Sequence, residues 1–433
     1  TSLFHRCPMY SRAQTAVALL ALVVIAIPTR AQEAANKTVR HDKIVAGSPK
    51  DAMEVRHIVL KGTNEEIGRA LAAIGKERLG IKAETSSDKL RARAQRRYIE
   101  KNYPILFERM RGAAALFGKP LDDDAWNHAL LSYIELQAGC SVMYFPPETT
   151  ATKTGILSRD YDFSTGTVMG QKPPEGKPGD TARPYVVEMY PDRGYPSIAM
   201  YSYDLLSGVL DGINSEGLTV ALMADDELMT KYGFEPAMDT GVGLGVLQMQ
   251  RLLLDTCATV EEAKEALLTT KQCYEFLPCH YLVADRHGKA FVWEYSQAHN
   301  REYIIENPGK PLVATNFSLH RHLEGGKVPS AAKAKGVCPR YCALTEKITE
   351  QKDLLSVDLI KETHKLADAH GTPKGANRAP TRTLWHALYV PEKRAVQVSF
   401  YLRDEPDPAK EGKTRDVRSD YLEFTLKDPK DVK

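Results

Sequence analysis

The residue pattern of this chain changes at Gly139-Cys140, and that change constrains the fold more than any other feature. Upstream, apolar residues recur at helical spacing over Glu65–Gly80, with Asn64 as the predicted N-cap, over residues 86–116 and over Asp123–Gln137. Downstream, short segments alternate apolar and polar side chains, as β-strands do. The pattern predicts an α+β protein whose strand-rich core follows a helical segment.

Turn signals rich in Gly, Pro, Asp and Asn separate the predicted strands. The segments predicted as strands are Val55–Leu60, Gly155–Asp162, Tyr185–Tyr190, Ser197–Tyr203, Gly208–Asn214, Thr219–Met223, Tyr281–Ala284, Ala290–Tyr295, Tyr303–Glu306, Pro311–Thr315, Thr383–Val390 and Ala395–Leu402. Helices are predicted at Gly243–Thr256, Val260–Thr269, Ser330–Glu350 and Ser356–Asp368. This order favours two antiparallel sheets with helical layers outside them.

Residues 1–31 have the pattern of a secretory signal peptide. Basic residues precede the apolar run Ala16–Ile27, and a small-residue site ends at Ala31. An uncleaved membrane anchor is the alternative, although twelve apolar residues are short for a bilayer span. We therefore expect an exported protein, periplasmic or extracellular, with an exposed leader over Gln32–Met53, a helical segment over 32–139 and a catalytic fragment over 140–433.

The charge and the cysteine content limit the partners and cofactors. A formal net charge of +2 gives no reason to expect nucleic acid as a partner. An exported protein can form disulfides, and Cys273 with Cys279 or Cys338 with Cys342 are candidate local pairs. A zinc site from Cys273, Cys279, His280 and Cys338 matches no familiar spacing, so neither a metal nor a cofactor is predicted.

A candidate reactive centre surrounds Cys140. The segment Gly139-Cys140-Ser141 opens an apolar strand, and Arg159 and Asp162 follow about twenty residues later in a second strand, so a tight hairpin would bring the three groups together. Side chains alternate along a strand, which places Asp160 on the face away from Arg159. Asp162 would also face away unless the strand bends or carries a bulge there.

Several motifs share their order with a known group of enzymes. They are Gly139-Cys140-Ser141, Arg159-Asp160-Tyr161-Asp162-Phe163, the run Asp211–Leu218, Ala284-Asp285 with Gly288 and Glu294, and Ala314-Thr315-Asn316-Phe317. Together they resemble the N-terminal-nucleophile (Ntn) amidohydrolases of the penicillin acyltransferase and carcinine hydrolase type (peptidase C45-like), and more distantly choloylglycine hydrolase. The resemblance runs from about Arg56 to Leu402 and implies a four-layer αββα sandwich.

The resemblance also implies a mechanism. Cys140 would cut the Gly139–Cys140 bond and then act through its own α-amine as a thioester-forming nucleophile. Arg159 would stabilise the thiolate, Asp162 would hold the α-ammonium, and Asn316 would donate to the oxyanion. The late family arginine would correspond to Arg378 or Arg382, and the choice between them is open.

Two further asparagine positions bear on the assignment. Asn214 lies in the Asp-Gly-Ile-Asn turn, where a structural role is favoured over a place in the site. The bile-salt branch has a second oxyanion asparagine where this chain has Met223, Ala224 and Asp225. The absence of an asparagine at these three positions favours hydrolysis of a small linear amide, or acyl transfer, over bile-salt hydrolysis.

Two other functions compete with this interpretation. Cys140 could pair with His386 in a conventional cysteine peptidase, or the chain could retain the fold and bind a ligand without turnover. Asn316-Phe317-Ser318 is also a glycosylation sequon, as is Asn36-Lys37-Thr38. The expected partner is a small-molecule amide substrate. The two self-cleaved fragments are expected to stay associated, and the formation of a homo-oligomer is left open.

Overall fold

The computed structural model describes residues 37–127 and 139–432, apart from 168–169, 175–178, 203–204, 207–208, 232–240, 274–277, 297–298, 372–374, 376, 410–411 and 413. The signal peptide predicted for residues 1–31 lies outside these residues, as does most of the helix predicted for Asp123–Gln137. Within the described ranges, no helix combines the length and apolar character needed to cross a bilayer.

The described strands are, in chain order, β1 Val39–Ala46, β2 Val55–Gly62, β3 Glu84–Thr85, β4 Trp126–Asn127, β5 Gly139–Phe145, β6 Ile156–Ser164, β7 Tyr185–Pro191, β8 Ser197–Tyr201, β9 Val209–Asn214, β10 Thr219–Ala224, β11 Cys279–Ala284, β12 Ala290–Ser296, β13 Arg301–Glu306, β14 Leu312–Ala314, β15 His370–Gly371, β16 Thr381–Val390, β17 Ala395–Pro406, β18 Thr414–Arg418 and β19 Leu422–Thr425. The α-helices are α1 Asn64–Leu79, α2 Lys89–Asn102, α3 Pro104–Phe117, α4 Asp226–Lys231, α5 Val246–Thr256, α6 Val260–Thr269, α7 Ala331–Ala334, α8 Pro339–Thr349 and α9 Val357–His364.

The long strands form two sheets. The first sheet has the order β1-β2-β7-β8-β9-β10-β11-β12-β13, and the second has the order β14-β5-β6-β16-β17-β18, with β15 paired to β16 and β19 paired to β17. Pairing is antiparallel except between β2 and β7, which run parallel. The α+β prediction with two stacked sheets is confirmed.

Helices cover the outer sides of the two sheets. On the first sheet, α1 packs against β2 and α5 packs against β9 and β10, whereas α8 and α9 pack against β14 and β6 of the second. Between the sheets, β5 faces β10, and apolar side chains of both fill one continuous core. The order of layers is therefore helix, sheet, sheet, helix, as the resemblance implied.

The N-terminal leader is the largest departure from the sequence prediction. Residues Gln32–Met53 were expected to form an exposed leader, yet Val39–Ala46 forms the edge strand β1 on β2. Its polar run at residues 40–43 and its mostly exposed or half-buried side chains suit an edge strand, which meets water along one side.

Helix boundaries differ from the prediction for local reasons. Thr63, not Asn64, caps α1, because its hydroxyl accepts from the Glu66 amide while the Glu66 carboxylate accepts from the Thr63 amide. Prolines at Pro104 and Pro339 begin new helices and divide the two long helical predictions. Residues 123–127 form a turn and β4, so the predicted start of a helix at Asp123 was wrong.

A buried ionic cluster connects the segment before Gly139 to the segment after it. The Arg109 guanidinium on α3 donates to both carboxylate oxygens of Asp255 on α5, at 2.7 and 3.1 Å. Arg251 approaches the same carboxylate at 2.8 Å, and the Tyr103 hydroxyl also donates to it. All four side chains are almost completely buried, so this carboxylate compensates charges that water cannot reach.

We predict that Asp255→Ala lowers the free energy of unfolding by about 3–5 kcal/mol, because Arg109 and Arg251 lose their buried counter-charge. Urea denaturation of the purified protein measures the change. The matched control is Glu306→Ala, which breaks the partly exposed ion pair with Lys264 and should cost less than about 1 kcal/mol. An equal loss of unfolding free energy in the two variants would show that the buried cluster contributes no more than an exposed ion pair.

Candidate active site

Cys140 lies at the start of β5, which is paired between β14 and β6 in the second sheet. The strand pairs with β6 in the predicted hairpin, with Gly139 opposite Asp162, Cys140 opposite Tyr161 and Val142 opposite Arg159. Residues opposite each other in an antiparallel pair share a face. Cys140 and Arg159 therefore lie on one face, towards the first sheet, and the Cys140 side chain is buried there.

The Arg159 guanidinium lies between the thiol and a buried carboxylate. It interacts with the Cys140 side chain, and its Nε lies 3.4 Å from Oδ2 of Asp211 on β9 of the first sheet. Burial alone would lower the pKa of Arg159, but Cys140 and Asp211 raise it above its ordinary value. Arg159 is therefore a permanent positive charge beside the sulfur.

Asp211 is oriented by two aromatic side chains of the second sheet. The Trp385 indole donates to Oδ2 at 3.1 Å, and the Tyr389 hydroxyl donates to Oδ1. Sequence reasoning noted Asp211 as part of a motif but gave it no role. A carboxylate inside the otherwise apolar strand Val209–Asn214 was the signal that pointed to a buried partner.

Asp162 reaches the start of β5 because it opposes Gly139 in the regular β5–β6 register. The bend or bulge expected between Arg159 and Asp162 is not found in this pairing. The neighbouring strand β16 carries a bulge instead, where Thr383 opposes Asp162, Trp385 opposes Tyr161, and Leu384 is the extra residue. The Thr383 hydroxyl donates to Asp162 Oδ1 at 2.6 Å. Burial raises the pKa of Asp162, whereas Arg340 and Thr383 oppose that rise.

Gly139 has a steric role. Its φ lies outside the left-handed region, so backbone conformation does not require a glycine here. Close packing does: a Cβ at this position would lie 3.1 Å from the Asp162 Cβ and 3.2 Å from its Oδ2. The absence of a side chain lets the carboxylate lie against the Gly139–Cys140 bond.

Asn316 follows β14 and binds the same bond from the other side. Its Oδ1 accepts from the Cys140 backbone N–H at 2.6 Å, and its Nδ2 donates to the Ala224 carbonyl at 2.8 Å. The side chain is 6% exposed, so the sequon at this position is inaccessible to glycosylation. The amide oxygen of Asn316 therefore faces the backbone nitrogen of Cys140.

Sequence reasoning missed Arg340, which connects Cys140, Asp162 and Asn316. Its Nη1 donates to the Cys140 carbonyl at 3.1 Å and to Asp162 Oδ2 at 3.0 Å, and its Nη2 donates to Asn316 Oδ1 at 2.6 Å. The residue follows Pro339 in the first turn of α8, where the helix dipole disfavours a cation. A cation placed there against local preference was the available signal.

The two arginines predicted for the late family position lie elsewhere. Arg382 forms an ion pair with Asp404 at 2.7 Å and also donates to the Gly371 carbonyl at 3.0 Å. Arg378 pairs through its backbone with Gln171, and its side chain lies beside Gly170. Of the three arginines, Arg340 is the one whose contacts place it at Cys140.

Asn214 makes the contacts of a turn residue. Its Oδ1 accepts from the amides of Glu216 and Leu218 at 3.1 and 2.9 Å, and its Nδ2 donates to the carbonyls of Leu254 and Cys257 at 3.1 and 2.7 Å. These bonds connect the β9–β10 turn to the end of α5.

His386 lies on the wrong face of the sheet to serve Cys140 as a base. It opposes Asp160 in the register, and its Nε2 lies 2.8 Å from the Ser158 hydroxyl. The Cys–His peptidase alternative therefore lacks the contact that it requires.

The cysteines that the structure describes form no disulfide with one another, so neither predicted local pair is present.

Comparison with known proteins agrees with the motif order. The family described as acyl-coenzyme A:6-aminopenicillanic acid acyl-transferase matches residues 156–404, more than half of the chain. No curated protein matches the chain.

Two solved structures are similar over much of the chain. A mutant of conjugated bile acid hydrolase from Clostridium perfringens is 13% identical, with coverage of 66% of this chain and 96% of that one and a TM-score of 0.40. Penicillin V acylase from Agrobacterium tumefaciens is 15% identical, with coverage of 60% and 82% and a TM-score of 0.39. The family match carries the assignment: this chain belongs to the acyl-coenzyme A:6-aminopenicillanic acid acyl-transferase family.

Proposed function

We propose that this protein is an exported, self-processing amidohydrolase that cleaves a linear amide through a thioester on Cys140. The observation that carries the proposal is the convergence of Asp162, Asn316 and Arg340 on the backbone at Cys140. These groups surround the bond that the chain would cut and the amine that the cut would release.

Self-processing would begin at Gly139. The Cys140 sulfur attacks the Gly139 carbonyl carbon, the C–N bond breaks as the nitrogen takes up a proton, and a thioester joins Gly139 to the sulfur. Water then hydrolyses the thioester and leaves a carboxylate on Gly139 and a free thiol and amine on Cys140. Arg159 lowers the energy of the thiolate during the attack, because it is a fixed cation beside the sulfur.

The released α-amine would then serve as the base for turnover. An α-amine titrates near pH 8, so it can accept the thiol proton at neutral pH. Asn316 Oδ1 already accepts from this nitrogen, and Asp162 lies against Gly139, the residue that precedes it in the chain. Both side chains would therefore hold the ammonium. The second N–H of the Asn316 amide is the group proposed to donate to the substrate oxyanion.

The substrate would be a linear, non-peptide or terminal amide. The Cys140 thiolate forms a thioester with the acyl part of the substrate and expels the amine. Water then hydrolyses the thioester and releases the carboxylic acid. An amine in place of water would complete an acyl transfer, the reaction for which the matched family is named.

We predict that the wild-type protein gives two fragments, the larger beginning at Cys140 and the smaller at about Gln32, and that Cys140→Ala stays as one uncut chain. Intact-mass spectrometry and N-terminal sequencing check both statements and the removal of the signal peptide. Cys140→Ser should be cut more slowly, because a hydroxyl is the poorer nucleophile. Cys257→Ala removes a different buried thiol and should be cut normally. Normal cleavage of Cys140→Ala would refute self-processing.

Gly139→Ala should slow the self-cleavage, because its Cβ would displace Asp162 from the scissile bond. The rate of appearance of the Cys140 fragment after synthesis measures the effect. Gly336→Ala is the matched control, since a Cβ there meets no atom within 4 Å. Equal cleavage rates for the two variants would show that the close approach of Asp162 has no part in processing.

Asp162→Asn should reduce amide hydrolysis roughly a hundredfold, because the α-ammonium loses its charged partner, a contact worth about 3 kcal/mol. Each preparation is first confirmed as processed by mass, since uncut protein would be inactive for another reason. Asp358→Asn, which changes a carboxylate that is 93% exposed, should retain wild-type rates. A processed Asp162→Asn enzyme with wild-type rates would remove this carboxylate from the mechanism.

A further inference from the structure

A second polar cluster lies on the face of the second sheet away from Cys140. It consists of Asp160 on β6, His364 at the end of α9 and His386 on β16, and all three side chains are buried. One ligand atom from each residue lies within 4.8 Å of the other two. The Ser158 hydroxyl lies between the rings, 2.6 Å from His364 Nδ1 and 2.8 Å from His386 Nε2.

Hydrogen bonds satisfy the imidazoles of this cluster but not its carboxylate. The chain Tyr421–His386–Ser158–His364–Ser141 occupies both nitrogens of each ring. Both oxygens of Asp160, in contrast, are buried without a hydrogen-bond partner in the described part of the chain, and His364 Nε2 lies 3.4 Å from Oδ2. Burying a carboxylate in this way is strongly destabilising unless a cation compensates it.

The residue types of the cluster suit a metal ion. Two imidazoles and one carboxylate form a donor set that first-row divalent ions accept, Zn²⁺ among them.

We propose that Asp160, His364 and His386 bind one Zn²⁺ ion, with the Ser158 hydroxyl as the adjacent oxygen. The ion would supply the partner that both buried oxygens of Asp160 lack. Because the cluster is buried and separated from Cys140 by the sheet itself, the role is structural rather than chemical. The ligands come from a strand, a helix end and a second strand, so no local sequence motif predicts the site.

The position of Asp160 gives the ion a further effect. Asp160 lies one residue from Arg159 and two from Asp162, on the strand that presents both to Cys140. Zn²⁺ would join this strand to α9 and β16, and so hold the segment of β6 that the candidate active site uses. These residues act by positioning, since none of them contacts the thiol.

The first test uses the purified full chain, stripped with a chelator and titrated with Zn²⁺ alone. We expect one ion per chain by elemental analysis after dialysis and an upward shift of the melting temperature, because an ion that binds the folded state stabilises it. Substitution with Co²⁺ should give the visible absorption of a low-coordinate site, and X-ray absorption of the Zn²⁺ form should show imidazole scattering. Absence of a stoichiometric ion, or a coordination shell without imidazole, would overturn the proposal.

Variants locate the ion. His364→Gln and Asp160→Asn should each lose the bound Zn²⁺ and its effect on melting. The matched control is His370→Gln, because Asp368, His370 and Asp416 form a more exposed group whose ligand atoms also lie within 4.8 Å of one another. Loss of the ion in His370→Gln with retention in His364→Gln would overturn the assignment. If the buried variants fail to fold, the wild-type coordination shell and the His370→Gln stoichiometry still decide the question.

Discussion

The ion pair between Arg159 and Asp211 is the interaction on which the arrangement of the two sheets at Cys140 depends. Arg159 comes from the second sheet and Asp211 from the first, and neither side chain has contact with water. A buried guanidinium without its carboxylate would be strongly destabilising, so the two sheets are held at the spacing that this pair requires. Trp385 and Tyr389 then restrict the orientation of Asp211.

The same few side chains would have to support two different reactions. In the uncut chain, Asn316 and Arg340 bind the backbone amide and carbonyl of Cys140, and Asp162 lies against Gly139. In the proposed enzyme, these groups face a free amine and a foreign substrate instead. If the chain is processed as proposed, each side chain would have to suit a peptide bond before the cut and an ammonium after it, which would leave little freedom for substitution at these positions.

The parts of the structure that were predictable are those set by neighbouring residues. The α6 helix was predicted with the bounds that the structure gives it, and the hairpin that brings Arg159 to Cys140 follows from period-two alternation. The Thr63 cap was also readable, because Thr63 and Glu66 form a capping-box pair three residues apart, although Asn64 was chosen.

What could not be predicted depends on contacts between distant segments. Arg340 lies 178 residues after Asp162 in the chain, and its role becomes visible when α8 is placed beside β5. Alternation along the strand led us to expect a bend or bulge between Arg159 and Asp162, whereas the bulge lies at Leu384 in β16. The short strands β18 and β19 have weak patterns of their own and are defined by their pairing with β17.

The parallel pairing of β2 with β7 has a consequence for how the chain is made. Val55–Gly62 finds its partner in Tyr185–Pro191, on the far side of the Gly139–Cys140 bond. During synthesis, β2 can pair with β1, but its other edge must wait unpaired until the polypeptide has emerged beyond Pro191. Such non-local pairing slows folding and exposes the waiting strand to other chains. Chaperone demand during synthesis should thus be greatest over this interval, before the surroundings of Cys140 are complete.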